Sequence, residues 1–493
     1  MLTSKTPFCA MYNLLFDLFV DVMGIIFLLY SLSIIMIYLT MTVLSTLEMR
    51  DHLKKNKFAD YKDVITSPVA PGISIIAPAY NEGKNIVQNT KSLMTLHYSK
   101  YEVIIVNDGS KDDTLERMIE SFDMVKTNFA YNHAIETKDI RGIYKSTNRS
   151  FAKLTLIDKE NGGKADALNA GINIAQQEIL ACIDVDCILS SDSLTRMVRP
   201  FMEEINRKVI AVGGVIGVAN NCDVKDGTVT KYRVPDSLMG RFQVVEYLRA
   251  FLMGRMAWTR INGLMLISGA FGLFNRELVL KVGGYFPKTV GEDMELVVRM
   301  RRYMAEQKIP YKVAFVPDPL CWTEVPESAL ILGRQRNRWM RGTIETLQLH
   351  QQVRLNPKYG VMGMVSYPFW SFFEKMAPIF EFMGLIYTII MIISGDISAV
   401  YFIALFVLIY CFSIMISSFS ILYEEIAYNN YKDKGDLKKL LTTIMLEPFL
   451  IHPRIVWWGL KGHYHFIKGK GGWGEMIRTG FRKATDRQNV SNA

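Results

Sequence analysis

The sequence predicts an α/β domain with a mostly parallel sheet, tied to a membrane by α-helical transmembrane and interfacial segments. Two observations carry that reading. Apolar residues crowd towards both ends of the chain in long runs that contain no charge. The middle instead alternates short apolar runs, each closed by small polar or acidic residues, with longer amphipathic ones. That rhythm is the one a sheet covered by helices on both faces imposes on a sequence.

Bulk composition would not reveal the membrane segments. The 493 residues are 50% hydrophobic and 21% charged, close to a water-soluble average. The signal is the uneven distribution. A net charge of +9 suits an anionic lipid surface or an anionic small substrate. No Lys/Arg run interleaved with aromatics occurs, so nucleic acid is not an expected partner. The six cysteines form no C-x-x-C pair, and no histidine pair has zinc spacing, so reduced thiols facing the cytosol are expected. Cys182 and Cys187 flank an acidic motif and read as small core residues.

Residues 22–47 hold no charge over 26 positions, more than the ~20 needed to cross a bilayer. The run is too long for a signal peptide and no cleavage site follows it. Arg50, Lys54, Lys55 and Lys57 come after it and only Lys5 before, which places the N-terminus outside and the middle domain in the cytosol. Residues 376–394, interrupted only by Glu381, and 397–423 read as a transmembrane hairpin turning at Gly395-Asp396. Residues 359–373 are aromatic and mildly polar, as an interfacial helix would be. Residues 440–460 contain Glu447, Pro448, His452, Pro453 and Arg454, so an interfacial or re-entrant segment is favoured over a fourth crossing. The divisions are then 1–50, a transmembrane helix; 51–350, the cytosolic domain; 351–375, interfacial; 376–423, the hairpin; and 424–493, cytosolic or interfacial.

Within the middle domain, residues 73–77 are a strand ended by Pro78, with a helix from Gly83. Residues 101–106 are a second strand, with a helix from Asp112. Residues 179–183 are a later strand, preceded by a helix from Ala165. Ligands in such sheets bind at the carboxyl ends of strands, and the polar motifs fall there. Tyr80-Asn81-Glu82 and Asn107-Asp108-Gly109-Ser110 each follow a strand; their side chains can meet a base or ribose, although turn chemistry alone also selects them. Gly162-Gly163-Lys164 opens a helix, a suitable place for a phosphate, but without P-loop spacing. Asp184-Val185-Asp186 sets two carboxylates at a strand exit, where they can hold a hard divalent cation, Mg²⁺ or Mn²⁺, and a diphosphate. Gly291-Glu292-Asp293 opens another helix: either a helix cap or the source of a general base. Gln335, Arg338 and Trp339 share one helix face; Arg suits a diphosphate and Trp a sugar ring. Arg334, Arg336 and Arg341 are placed for lipid headgroups.

In this order the five motifs resemble the processive branch of glycosyltransferase family 2, the synthases of cellulose, chitin, hyaluronan and poly-N-acetylglucosamine. The resemblance covers about residues 71–342 and is most specific at Gln335-x-x-Arg338-Trp339. It implies a GT-A (nucleotide-diphospho-sugar transferase) fold and an inverting transfer from a UDP-sugar, UDP-glucose or UDP-N-acetylglucosamine, to a growing glycan acceptor. Tyr80, Glu82, Asp108 and Lys164 would hold the nucleotide, with Asp184; Asp186 would ligate the metal; Asp293 would be the base. Gln335, Arg338 and Trp339 would bind diphosphate and acceptor. Trp473, with Arg478 behind it, is similar to the family's gating loop. The family also implies a multi-pass plasma-membrane protein with a cytosolic catalytic domain, membrane lipid as a partner, and export or accessory subunits. The sequence departs from the cellulose-synthase pattern at Val290-Gly291, where those enzymes typically carry Thr, and three spans are few for a polymer channel. A single transfer to a polyprenyl phosphate, or a nucleotide-sensing membrane protein, are the rival expectations.

Overall fold

The computed structural model describes residues 7–57, 67, 69–225, 227–395 and 399–469. Helix α1 (Pro7–Lys57) leads in with 51 residues. At about 1.5 Å per residue it is roughly 75 Å long, more than twice the ~30 Å hydrocarbon core of a bilayer.

The central domain then runs β1 (Ile73–Ala79), α2 (Ile86–Met94), β2 (Tyr101–Asp108), α3 (Thr114–Ser121), β3 (Met124–Lys126), β4 (Ile140–Ser146), β5 (Leu154–Lys159), α4 (Lys164–Ile174), β6 (Ile179–Ile183), β7 (Ile188–Leu189) and α5 (Ser193–Met202). It continues through β8 (Lys208–Val218), β9 (Asp223–Lys225), β10 (Thr228–Lys231), α6 (Leu238–Leu248), α7 (Met256–Arg260), β11 (Phe271–Asn275), α8 (Arg276–Lys281), α9 (Glu292–Glu306), β12 (Tyr311–Thr323) and α10 (Ala329–Leu349). Ten strands form one sheet in the order β3-β4-β5-β2-β1-β6-β11-β8-β12-β7, and β9 pairs with β10 apart from it.

The neighbours β5, β2, β1 and β6 are parallel. Their apolar runs are near-continuous because helices cover both faces: Ile73, Ile75, Ile76 and Val103 to Val106 are fully buried. The expectation of a mostly parallel sheet needs correction, because β11 inserts antiparallel between β6 and β8, and β4 and β7 are antiparallel at the flanks. Nor does Pro78 end β1. The strand runs to Ala79, paired with Asn107 of β2. Pairing with β6 stops at Ile76↔Cys182, so the N–H that proline lacks is not needed on that side.

Beyond α10 the backbone passes through π-helical turns at Met362–Ser366 and Trp370–Lys375 into α11 (Ala377–Ser394), α12 (Ala399–Ala427), α13 (Lys434–Leu450) and α14 (His452–Ile467). Among the described residues, three helices are long and apolar enough to cross a membrane: residues Leu18–Asn56 of α1, all of α11, and Phe402–Ala427 of α12. Their large apolar side chains point outward, as at Met36, Val43, Leu385 and Leu408. Tyr30 of α1 stacks on Phe380 of α11 at 4.6 Å between centroids, and Thr46 of α1 hydrogen-bonds Tyr423 of α12. The segment read from sequence as interfacial or re-entrant is two helices that break at Ile451. The first reaches the middle of α12, where Phe449 meets Phe406 and Tyr410. The second returns along α11: His452 meets Glu381 at 2.7 Å, Gly459 lies under Pro378, and His463 bonds the Lys375 carbonyl at 2.8 Å. The five cysteines whose side chains are described, Cys182, Cys187, Cys222, Cys321 and Cys411, are free thiols.

Candidate functional site

Because β5, β2, β1 and β6 are parallel neighbours, the loops that leave them line one edge of the sheet. Those loops carry Gly162–Lys164, Asn107–Ser110, Tyr80–Glu82 and Asp184–Asp186. The first three are stitched together by backbone donors. Asn81 N–H bonds Ser110 Oγ at 3.0 Å, Lys111 N–H bonds Asn81 Oδ1 at 2.8 Å, Glu82 N–H bonds Thr114 Oγ1 at 3.0 Å, and Gly83 N–H bonds Asp112 Oδ2 at 3.0 Å. Tyr80 stands out of this frame, 44% exposed, and Glu82 is partly exposed beside it.

Asp108 lies beneath the frame, with only 3% of its surface exposed. It accepts from Lys159 Nζ at 2.9 Å, Gly162 N–H at 3.0 Å and Gly163 N–H at 2.8 Å. Lys159 is fully buried and also pairs with Asp166 at 2.5 Å. Asp108 therefore fixes the loop ahead of α4, with its carboxylate already engaged by the protein. Gly163 caps α4 at φ 86°, in the left-handed region that glycine adopts without strain, and this aims Lys164 across the sheet edge.

Lys164 bonds the Gly269 carbonyl at 3.1 Å and pairs with Asp184. Burial pulls its ammonium down, but Asp184, Glu292 and Asp293 together raise its pKa above the usual lysine value. Gly269, in the turn before β11, also donates its N–H to Asp293 Oδ2 at 3.1 Å. A Cβ there would lie 3.2 Å from Lys164 Nζ and 3.3 Å from Asp293 Oδ2. Lys164 at the start of α4 and Asp293 at the start of α9 thus meet at one bare glycine, and Asp184 at the end of β6 joins them through its pair with Lys164. Glu292, next to Asp293, is 5% exposed. Burial first, and then the Asp293 charge, push its carboxyl up to about 7.

Helix α10 seals the other side. Gly342 packs backbone to backbone against Gly291: a Cβ on Gly342 would come 2.7 Å from Gly291 Cα, and one on Gly291 would come 2.8 Å from Gly342 Cα. One turn on, Glu345 Oε2 accepts from Thr289 Oγ1 at 2.8 Å and Val290 N–H at 2.9 Å. The helix that carries Gln335, Arg338 and Trp339 is thereby clamped to the turn that presents Glu292 and Asp293. Arg338 acts on this centre electrostatically and opposes the rise at Glu292. Trp339 is 40% exposed, and the Arg336 guanidinium lies 4.2 Å from its ring centroid. Arg336 is itself gripped by both Glu246 oxygens at 2.5 Å. Arg336 and Arg341 are 9% and 6% exposed. Headgroup binding, expected of both, is therefore corrected: they are internal, and Arg334 alone of the three is exposed.

Gln335 and Arg338 are half-buried on α10 and Trp339 is exposed, whereas Trp473 and Arg478 lie outside the described residues. Sequence reasoning missed Gly269, Gly342 and Glu345. Gly291 departs from the cellulose-synthase pattern because the backbone of Gly342 lies against it.

Residues 74–279 match the family model "Glycosyl transferase family 2", and residues 179–416 match "Glycosyl transferase family group 2". The chain carries a family 2 glycosyltransferase domain. This family 2 domain begins at β1, and the second match extends through α10 and α11 into α12. Among curated proteins, a poly-beta-1,6-N-acetyl-D-glucosamine synthase of Staphylococcus epidermidis is 28% identical over 276 residues, 56% of this chain and 55% of that protein. A protein of the same name from Staphylococcus aureus (strain COL) is 30% identical over 280 residues, again 56% of this chain and 55% of that protein. The chain spans about half the length of these curated relatives. Among solved structures, the mannosyltransferase PcManGT from Pyrobaculum calidifontis, in complex with GDP-Man and Mn²⁺, aligns with a TM-score of 0.46 at 16% identity, over 87% of this chain and 100% of that one. Residues 1-349 of S. aureus TarS, in complex with UDP-GlcNAc, align with a TM-score of 0.37 at 13% identity, over 76% and 91%. The parallel β5-β2-β1-β6 core with β11 and β8 beside it is the GT-A arrangement expected of a family 2 domain.

Proposed function

We propose that this protein is an inverting glycosyltransferase that moves a sugar from a UDP-sugar onto a growing glycan at the membrane, with N-acetylglucosamine the first sugar to test. The observation that carries the reading is the meeting of Lys164 and Asp293 at Gly269, with Asp184 paired to Lys164, sealed by the α10 helix that bears Arg338 and Trp339. The names of the curated relatives support the choice of sugar and of a polymeric product.

In this reading Tyr80 and Glu82 border the nucleotide, and Asp108 shapes the Gly162–Lys164 loop around it. Lys164 and Arg338 lie against the diphosphate, where fixed positive charge stabilises the departing UDP. Asp293 takes the proton of an acceptor hydroxyl, held in place by the Gly269 N–H. That hydroxyl then attacks the anomeric carbon from the face opposite UDP. Trp339 offers a flat ring for the acceptor sugar, and Gln335 lies one turn back on the same helix. Asp184 and Asp186 supply oxygen donors of the kind Mg²⁺ and Mn²⁺ prefer, and among the described residues no third His, Cys, Asp or Glu joins them. A two-carboxylate set fits a cation that completes its shell from a bound diphosphate, and such an ion would neutralise charge on the leaving group. The three apolar helices support a reaction at a membrane, read here as the plasma membrane with the domain on the cytosolic side. Accessory or export subunits would act beyond this chain.

The test is UDP release by purified protein from a panel of UDP-sugars, with mass analysis of the product. Asp293→Asn should lower turnover by about 10²–10⁴-fold, the share a general base supplies, and leave UDP affinity near that of the parent. Full turnover in Asp293→Asn would overturn the assignment. A single sugar per lipid acceptor would favour the polyprenyl-phosphate reading, and UDP-sugar binding without turnover would favour a sensor.

A further inference from the structure

Helix α14 has two faces of opposite character. One is buried: Trp458, Gly459 and Gly462 press on α10, where Gly333 and Met340 receive them. The other carries Arg454, Trp457, Lys461, Tyr464 and Lys468, all exposed. Their spacing is 3, 4, 3 and 4, so they form a single stripe along the helix. Cation and aromatic alternate along it without a break. Lys461 Nζ lies 5.5 Å from the Trp457 ring centroid and Lys468 Nζ 5.0 Å from that of Tyr464. No acidic residue occurs from 448 to 474.

The position of the stripe decides what it faces. The helix climbs from the level of Glu381, inside α11, past Pro378 to Lys375, just before α11 begins. A helix crossing that level carries its outer face through the boundary between acyl chains and headgroups. Trp and Tyr rings sit favourably at that boundary, and Lys and Arg reach from it to phosphate. Each cation held near an anionic leaflet adds to the attraction.

We propose that the Arg454–Trp457–Lys461–Tyr464–Lys468 stripe is a docking surface for anionic phospholipid headgroups. The buried face of α14 is the floor of α10: Gly462 lies beneath Met340 and the Asn337 carbonyl, and His465 meets Asn337 Oδ1 at 3.3 Å. Lipid bound on the stripe therefore holds the helix that carries Arg338 and Trp339. The effect on turnover rests on the glycosyltransferase reading above; headgroup binding does not.

The full chain would be reconstituted in phosphatidylcholine nanodiscs with or without about 30% phosphatidylglycerol, and lipid retained after extraction would be counted by native mass spectrometry. Wild type should retain phosphatidylglycerol in preference to phosphatidylcholine, and the double variant Lys461→Glu/Lys468→Glu should lose at least three-quarters of that preference. Turnover should rise several-fold with phosphatidylglycerol in wild type but not in the double variant, with equal rates in pure phosphatidylcholine. Trp457→Phe should keep the preference, because the ring and both lysines remain. Equal retention of both lipids by wild type, or an undiminished preference in the double variant, overturns the proposal. So does a double variant that keeps its lipid preference but releases an oligosaccharide product, which would make the stripe a glycan surface. If no sugar transfer is found in any sample, the retention counts still decide it.

Discussion

Glu292 and Asp293 are consecutive carboxyls in unequal surroundings. Asp293 is held by the Gly269 N–H and by the N–H of Met294, whereas Glu292 is buried and its carboxyl is pushed up to about 7. A folded-state pKa above the unfolded value of about 4.5 means that the folded protein binds more protons between those two values. Stability therefore falls as pH rises towards 7 and levels off above it. Glu292→Gln should remove that slope: its melting temperature should be flat between pH 5.5 and 8 where the parent declines, with a gain of the order of 1–3 kcal/mol at pH 8. The same substitution should erase a step near pH 7 in the rate profile, because the ionised neighbour no longer bears on Asp293. A parent melting temperature that does not fall over that range would refute the assignment. At this scale the sequence was legible for groups with charge and motif spacing, such as Lys164, Asp184 and Asp293. It was silent on Gly269, because the role of a bare position depends on what surrounds it, and it could not show that Asp108 is turned inward by Lys159, a partner 51 residues away.

Helix α10 shows how one element sets the geometry of another. Its Gly342 touches the backbone at Gly291, and its Glu345 holds Thr289 and Val290, so two residues one turn apart on a single helix define where the turn that carries Asp293 lies. Gly342→Ala would put a methyl 2.7 Å from Gly291 Cα. Neither backbone can yield cheaply, and overpacking of this kind costs about 1–3 kcal/mol. A displacement near 1 Å at a reacting group can cost about 10²-fold in rate. Gly342→Ala is therefore expected to fold, to bind UDP within a few-fold of the parent, and to lose roughly 10–100-fold in kcat. Glu345→Ala should do likewise, with Glu345→Gln restoring most of the rate through the same two acceptor contacts. Equal rates for Glu345→Ala and its parent would show that the clamp is dispensable. The sequence disclosed β1, β2, β6, α11 and α12 to within a few residues, and the apolar centre of α1 but not its length, since 22–47 lies inside a helix that runs Pro7–Lys57. It did not disclose β11 slipping antiparallel between β6 and β8, because pairing partners are chosen by long-range packing, and a five-residue apolar run does not state its direction.

Across the whole molecule, the membrane helix and the sheet are joined by ion pairs of very different weight. Arg260 reaches Glu48 and Asp51 of α1 at 3.2 and 2.6 Å. Arg260 and Asp51 reach solvent and Glu48 is half-buried, and such surface pairs contribute only about 0–1 kcal/mol. Asp318 of β12 is another matter. It is 3% exposed and accepts from His52 of α1 at 2.9 Å and from Arg196 of α5 at 3.0 Å. Burial alone would raise its pKa, but His52 and Arg196 outweigh burial and hold it below the usual aspartate value. A depressed folded-state pKa gives stability that is present above about 3.9 and is lost as pH falls through the folded value. At pH 7 Asp318→Asn should therefore lower stability by about 1.5–3 kcal/mol, the worth of a hydrogen bond to a charged group, while Asp51→Asn should change it by less than about 1 kcal/mol. The gap between Asp318→Asn and its parent should close only below about pH 4. Melting curves of the detergent-solubilised chain at pH 7 and pH 4 read both effects. If Asp51→Asn proved the more damaging of the two, the join between membrane helix and domain would rest on its exposed contacts, and the buried triad of His52, Asp318 and Arg196 would be incidental to it.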